Sequence, residues 1–174
     1  MDNIIKIYFE KDNYYLEYKD IKCVAYIGKN GLTNHKKEGD FKTPIGIFDL
    51  GLAFGTHNER TLQLNTNIKY VKINDKLYWV DDINSKYYNI LVDISKIKKD
   101  FTSAEHLIEY PKAYEYGIEI KTNPNNIKGI GSAIFIHCYG NNNYTAGCIA
   151  ISKENMINLL KQIDENTKIN IISR

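Results

Sequence analysis

Two residues in one short stretch could together form a nucleophilic site. The segment G-S-A-I-F-I-H-C-Y-G-N-N-N-Y-T-A-G-C-I-A-I-S, residues 131–152, carries His137 and Cys148 on either side of a polar loop. A thiol is mostly protonated at neutral pH, and a neighbouring imidazole that accepts its proton turns it into a nucleophile. Cys148 directly follows Gly147. Glycine lets the backbone come close to a substrate carbonyl in conformations closed to other residues. The amides of Gly147 and Cys148 are then placed to meet a developing oxyanion. The chemistry on offer is attack on a carbonyl. On residue types alone the pair stays a candidate, because a histidine on a strand is also commonly a satisfied core or surface group.

The neighbouring elements must bring the two together. Alternation over 133–139 puts Ala133, Phe135, His137 and Tyr139 on one strand face and Ile134, Ile136 and Cys138 on the other. Cys138 therefore reads as core packing, and Cys23, beside Val24 in an early strand, as a small buried hydrophobe. Cys148 is left as the nucleophile. Beyond it, Cys148, Ala150 and Ser152 face one way, and Ile149 and Ile151 the other. Ser152 reads as the N-cap of the last helix, with Met156, Ile157, Leu160 and Ile163 at helical spacing. Lys161 suits the end of that helix, and 169–172 reads as a final strand.

Upstream, residues 4–27 read as a meander of three short strands. A long connection follows, with Gly28, Gly31, Gly39, Gly46 and Pro44, and runs into a strand at 45–50. Its glycine spacing does not match a phosphate-binding loop, and its length suits a wall of the site. His35, among Lys36, Lys37 and Glu38, reads as a solvated surface group. Leu62 and Leu64 alternate in a turn-rich stretch. Residues 70–73 and 77–80 read as a hairpin turning at Asn74-Asp75. Trp79, with Asp81, Asp82, Tyr87, Tyr88 and Asn89 close behind, is either core beside a solvated acidic turn or a groove wall. A weak strand at 90–93, a short helical turn capped by Thr102 or Ser103, and an alternating strand at 116–121 complete the chain.

Composition narrows the classes. A net charge of +2 with dispersed lysines argues against nucleic-acid binding. Three cysteines without C-x-x-C spacing do not make a disulfide framework, and the four histidines lack zinc-ligand spacing. No metal and no cofactor are expected. No apolar run approaches the roughly 20 residues of a membrane span. The first residues, with Asp2, do not read as a signal peptide. The protein is expected either to act where it is made or to be exported or delivered by another route. The architecture expected is one domain over 1–174, with N-terminal strands 1–27 and a catalytic core 28–174. It is mainly β with few helices, a β-sandwich or partly closed barrel, and a monomer.

The segment resembles the catalytic signature of the L,D-transpeptidases of the YkuD type. There a strand ends in His, a loop follows, and [ST]-x-G-C carries the nucleophile. This chain has G-S-A-I-F-I-H at 131–137 and T-A-G-C-I-A-I at 145–151. Upstream, K-K-E-G-D-F-K-T-P-I-G-I-F at 36–48 is similar to the family's E-G-D-x-x-T-P-x-G-x-F stretch. Blocks at 78–82, 88–89 and 103–105 also look like one branch. The resemblance implies attack by Cys148 on a peptidoglycan stem peptide, His137 as base and acid, and Gly147 and Cys148 amides on the oxyanion. The acyl group then passes to an amine, forming a cross-link in the cell wall or envelope, and carbapenems are expected to acylate Cys148. Thr145, Tyr139, Trp79, Tyr88, Asn89 and Glu105 are the substrate-positioning candidates. The commoner form of the signature reads S-H-G-C-x-R, and here Ala146 and Ala150 replace its second histidine and its arginine. Alternatives are an L,D-carboxypeptidase, an amine-exchange hydrolase or toxin of the same fold, and a non-catalytic wall-binding module.

Overall fold

The computed structural model describes residues 3–59 and 68–173; Leu62 and Leu64 lie outside them. Strands β1 (Ile4–Glu10), β2 (Asn13–Tyr18) and β3 (Ile21–Ala25) form the expected meander. Lys11, Asp12 and Lys19 take positive φ in its turns. Two short strands, β4 (Leu32–Thr33) and β5 (Thr43–Pro44), pair in parallel and tie together the ends of the long connection. They lead into β6 (Gly46–Gly55), longer than the strand expected at 45–50. Next come β7 (Tyr70–Lys72), β8 (Leu77–Val80), β9 (Leu91–Asp93) and β10 (Ala104–His106). Two 3-10 turns, Leu107–Glu109 and Ala113–Glu115, precede β11 (Tyr116–Ile120). The site elements are β12 (Phe135–Cys138) and β13 (Ile149–Ile151), followed by helix α1 (Lys153–Gln162) and strand β14 (Lys168–Ile171).

The main sheet runs β13-β12-β11-β6-β14-β1-β2-β3, with β7 alongside β6. Just beyond β3, Tyr26 exchanges two backbone hydrogen bonds with Ala150 of β13, at 2.8 and 2.9 Å. The two ends of the strand order therefore meet, and the sheet is a nearly closed barrel. That bears out the mainly β, partly closed barrel expected from sequence. Isoleucines fill its interior: Ile5, Ile7, Ile118, Ile136, Ile149 and Ile169 are fully buried. Each such side chain removed from water contributes roughly 1.5–3 kcal/mol. Helix α1 adds Met156, Leu159 and Leu160 to the same core. Its Ser152 cap holds, the side chain accepting from the Asn155 amide at 3.3 Å. No helix among the described residues is long and apolar enough to cross a membrane.

Two local expectations are corrected. The segments at 70–73 and 77–80 do not form a hairpin. Strand β7 pairs in parallel with β6, while β8 is the centre of a separate three-stranded sheet between β10 and β9. The helical turn expected at Thr102–Ser103 is also absent. The residues after it form β10, and both hydroxyls donate to carboxylates, Thr102 to Asp82 and Ser103 to Asp81. Capping side chains are equally able to bond elsewhere, and here two aspartates outcompete a helix start.

Candidate active site

Strand register sets the site. Strands β12 and β13 run parallel, with Ile136 opposite Ile149 and His137 opposite Ala150. Cys148, one position before, therefore falls beside Phe135 on the His137 face. The packing follows the alternation read from sequence. Ile134, Ile136, Cys138, Ile149 and Ile151 belong to the barrel core. Ala133, Phe135 and Cys148 belong to a second cluster with Phe54, Trp79 and Tyr114. The Cys148 sulfur is held by two backbone groups. Its S–H donates to the Ala133 carbonyl at 3.2 Å, and it accepts from the Phe135 amide at 3.3 Å. Ala133 holds that carbonyl in place from a left-handed conformation, φ 52°, its own amide bonded to Asn89 Oδ1.

His137 is oriented by the chain itself. Nδ1 lies 2.7 Å from the Cys138 carbonyl. A carbonyl only accepts, so Nδ1 carries the proton and Nε2 is the basic nitrogen of the neutral ring. The Tyr114 ring meets the imidazole edge-on, at 5.4 Å and 87°. Burial pushes the His137 pKa down to about 4, against the opposing pull of the Cys138 carbonyl. Burial and then Glu105 push the Cys148 thiol well up, while the Phe135 amide and Lys36 act the other way. The resting pair is thus neutral thiol and neutral imidazole, not a standing thiolate–imidazolium pair.

The turn 145–148 is braced from within and from the long connection. Thr145 Oγ1 donates to the Cys148 carbonyl at 2.6 Å and accepts the Gly147 amide at 3.0 Å. Thr43 Oγ1 donates to the Gly147 carbonyl at 2.8 Å and accepts the Gly28 amide at 2.9 Å. The Gly147 amide is therefore engaged by Thr145, where the sequence reading had set it beside that of Cys148 as an oxyanion donor. His137 and Cys148 open into one cleft of about 620 Å³, walled on one side by Lys36, Glu38 and Phe41. That volume is in the range of small-ligand sites.

A comparison with known protein families matches residues 4–171 to the YkuD model, the L,D-transpeptidase catalytic domain. The chain belongs to the YkuD family. A comparison with curated proteins finds no match. The general activity of that family is L,D-transpeptidation.

Within this YkuD domain the six positioning candidates separate into two groups. Thr145 and Glu105 line the cleft with His137 and Cys148. Trp79, Tyr88, Asn89 and Tyr139 support it from behind. Trp79 is 2% exposed, packs edge-on against Phe135 at 4.8 Å and donates to Asn89 Oδ1. Tyr88 donates to Glu38, and its oxygen accepts the Gly131 amide. Tyr139 stacks on Tyr26 and donates to the Val24 carbonyl. Cys138 is buried in the barrel core and Cys23 packs at its margin. Sequence reading missed Tyr114 and Lys36. The lysine opens the K-K-E-G-D block at 36–48, and the sequence reading gave it no role of its own. Tyr114 carried no signal.

Glu105 is the other charged neighbour of Cys148, a carboxyl hydrogen-bonded by the Tyr114 hydroxyl. Desolvation raises its pKa to about 7 from an ordinary 4.5; Tyr114 opposes, and Asp81 and Glu38 add to the rise. A raised carboxyl favours the folded state at low pH, and that contribution is lost as pH climbs from 4.5 through 7. Glu105→Gln, which keeps an acceptor for Tyr114, is expected to raise stability above pH 7 by up to about 3 kcal/mol. It should leave stability at pH 4.5 unchanged, as followed by urea unfolding at both values.

Proposed function

We propose that this domain is a cysteine acyltransferase acting on peptidoglycan stem peptides, with Cys148 as nucleophile and His137 as general base and acid. The observation that carries this reading is the shared strand face. The sulfur and the imidazole open into one cleft, and the Cys138 carbonyl leaves Nε2 as an acceptor. As Sγ attacks the carbonyl between an L-centre and the terminal D-residue, Nε2 takes the thiol proton. Because both groups rest neutral, proton transfer accompanies attack. The oxyanion forms beside the Cys148 amide. On collapse the C–N bond breaks, and the proton on Nε2 goes to the departing D-amine, leaving a thioester on Cys148. The amine of a second stem attacks that thioester, giving its proton to Nε2. The thiol leaves and is reprotonated, and a 3-3 cross-link results. The wall or envelope is the place of action.

The test is incubation with disaccharide-tetrapeptide, followed by mass spectrometry, beside Cys148→Ala. Cross-linked dimer and free D-alanine are expected from the wild type and neither from the variant. Tripeptide with free D-alanine and no dimer would make water the acceptor and the protein a carboxypeptidase. Unchanged turnover in Cys148→Ala would refute the nucleophile.

A further inference from the structure

An acyl-transfer site holds its oxyanion with preorganised donors. Here the Gly147 amide is committed to Thr145, so of the two backbone donors read from the sequence that of Cys148 remains. A cation stands against the same turn. The Lys36 ammonium lies 3.3 Å from where a Cβ on Gly147 would be. It lines the cleft with Cys148, and its side chain is 9% exposed. The lysine stem runs past Gly131, where a Cβ would fall 2.8 Å from Cγ and 3.1 Å from Cε. Two glycines at positive φ, 106° and 143°, therefore leave room for one lysine. Asp40 fixes it. The carboxylate pairs with Nζ and accepts the amides of Lys37 and Lys42, both at 2.9 Å. An ammonium has three N–H groups, so two remain after Asp40. The other lysine of the cleft lining, Lys112, reaches Asn141 at the exposed rim.

We propose that Lys36 is a catalytic residue of this site, its ammonium donating to the oxyanion of the tetrahedral intermediate alongside the Cys148 amide. This rests on Cys148 being the nucleophile. The arrangement gives the oxyanion a full charge from a side chain only 9% exposed, where such an interaction is stronger than in bulk water. Asp40 holds the ammonium before substrate arrives, so little reorganisation is needed.

Lys36→Met removes the charge and keeps the stem. Its kcat/KM for acylation by disaccharide-tetrapeptide is expected to fall about 10²–10³-fold, chiefly in kcat. The loss should be the same on a tetrapeptide ending in a carboxamide. Alkylation of Cys148 by iodoacetamide forms no oxyanion and is expected to slow by less than about tenfold. Lys36→Arg should restore most of the acylation rate. An equal loss in alkylation would make Lys36 a group that tunes the thiol and overturn the proposal. A loss confined to the free carboxylate would make it a clamp for the leaving residue, also overturning it, as would a loss under about tenfold on both peptides. If Lys36→Met fails to fold, Lys36→Gln, which keeps an N–H for Asp40, carries the same comparison. A wild type forming no acyl-enzyme at Cys148, read by intact mass, refutes the proposed function first and this inference with it.

Discussion

His137→Gln is expected to lower kcat/KM for stem-peptide turnover by about 10²–10⁴-fold, the usual worth of a positioned general base. Iodoacetamide labelling of Cys148 should slow as well, because Nε2 of His137 is the neutral ring's acceptor nitrogen in the cleft that the sulfur shares. The pH profile carries a second expectation. With the His137 pKa at about 4, the acid limb of wild-type kcat/KM lies near that value. A limb near the ordinary 6.5 would show that the imidazole is not desolvated as described.

The same shift links to stability with the opposite sign from Glu105. A histidine whose folded pKa is depressed binds more protons when unfolded. Its favourable contribution is present above 6.5 and is lost as pH falls towards 4. The full effect is about 3 kcal/mol. Between 4.5 and 6.5 the His137 and Glu105 slopes oppose each other, and the wild-type curve is expected to be flat there. His137→Gln should unmask the falling slope of Glu105, and Glu105→Gln the rising slope of His137. Urea midpoints across that range check both.

Gly147→Ala is expected to destabilise the domain by about 2–4 kcal/mol. The residue sits at φ 143°, and a Cβ there would come 2.9 Å from the Lys42 carbonyl oxygen, a backbone atom that cannot swing aside. It would also press on Ile134 and on the Lys36 ammonium. Activity should fall further than stability alone explains, because the turn that aims Cys148 must shift. Gly129→Ala, at φ 85° with nothing within 4 Å of the added atom, is the control and should cost about 1 kcal/mol. Denaturant unfolding of the two variants compares them, and similar losses would remove the steric argument.

The site was legible in sequence where one strand decides it. Alternation over 133–139 separates His137 from Cys138 because period 2 is a property of the strand alone, and the two packing clusters follow it. What failed was pairing. Strand β7 looked like half of a hairpin, but its partner β6 lies elsewhere in the chain, and no local pattern encodes a parallel register. The Thr102–Ser103 turn failed because the competing acceptors, Asp81 and Asp82, come from the turn after β8. The charge environment of Cys148 was legible in half. Glu105 came through the family resemblance, whereas Lys36 meets Cys148 only in three dimensions, and a lysine in a polar run is ordinarily solvated.

The position of β14 bears on how the barrel around Cys148 closes. This strand, late in the chain, lies in the middle of the sheet, parallel to β1 and antiparallel to β6. The meander and the long β6 therefore have no common neighbour until residues 168–171 arrive, and the Tyr26–Ala150 closure beside Cys148 depends on that joining. Contacts of this kind span nearly the whole chain, which slows folding. A growing or truncated chain that lacks β14 would keep the local β12–β13 pairing as an option but not the closed barrel around it. Removal of residues 168–171 is therefore expected to open the sheet between β1 and β6.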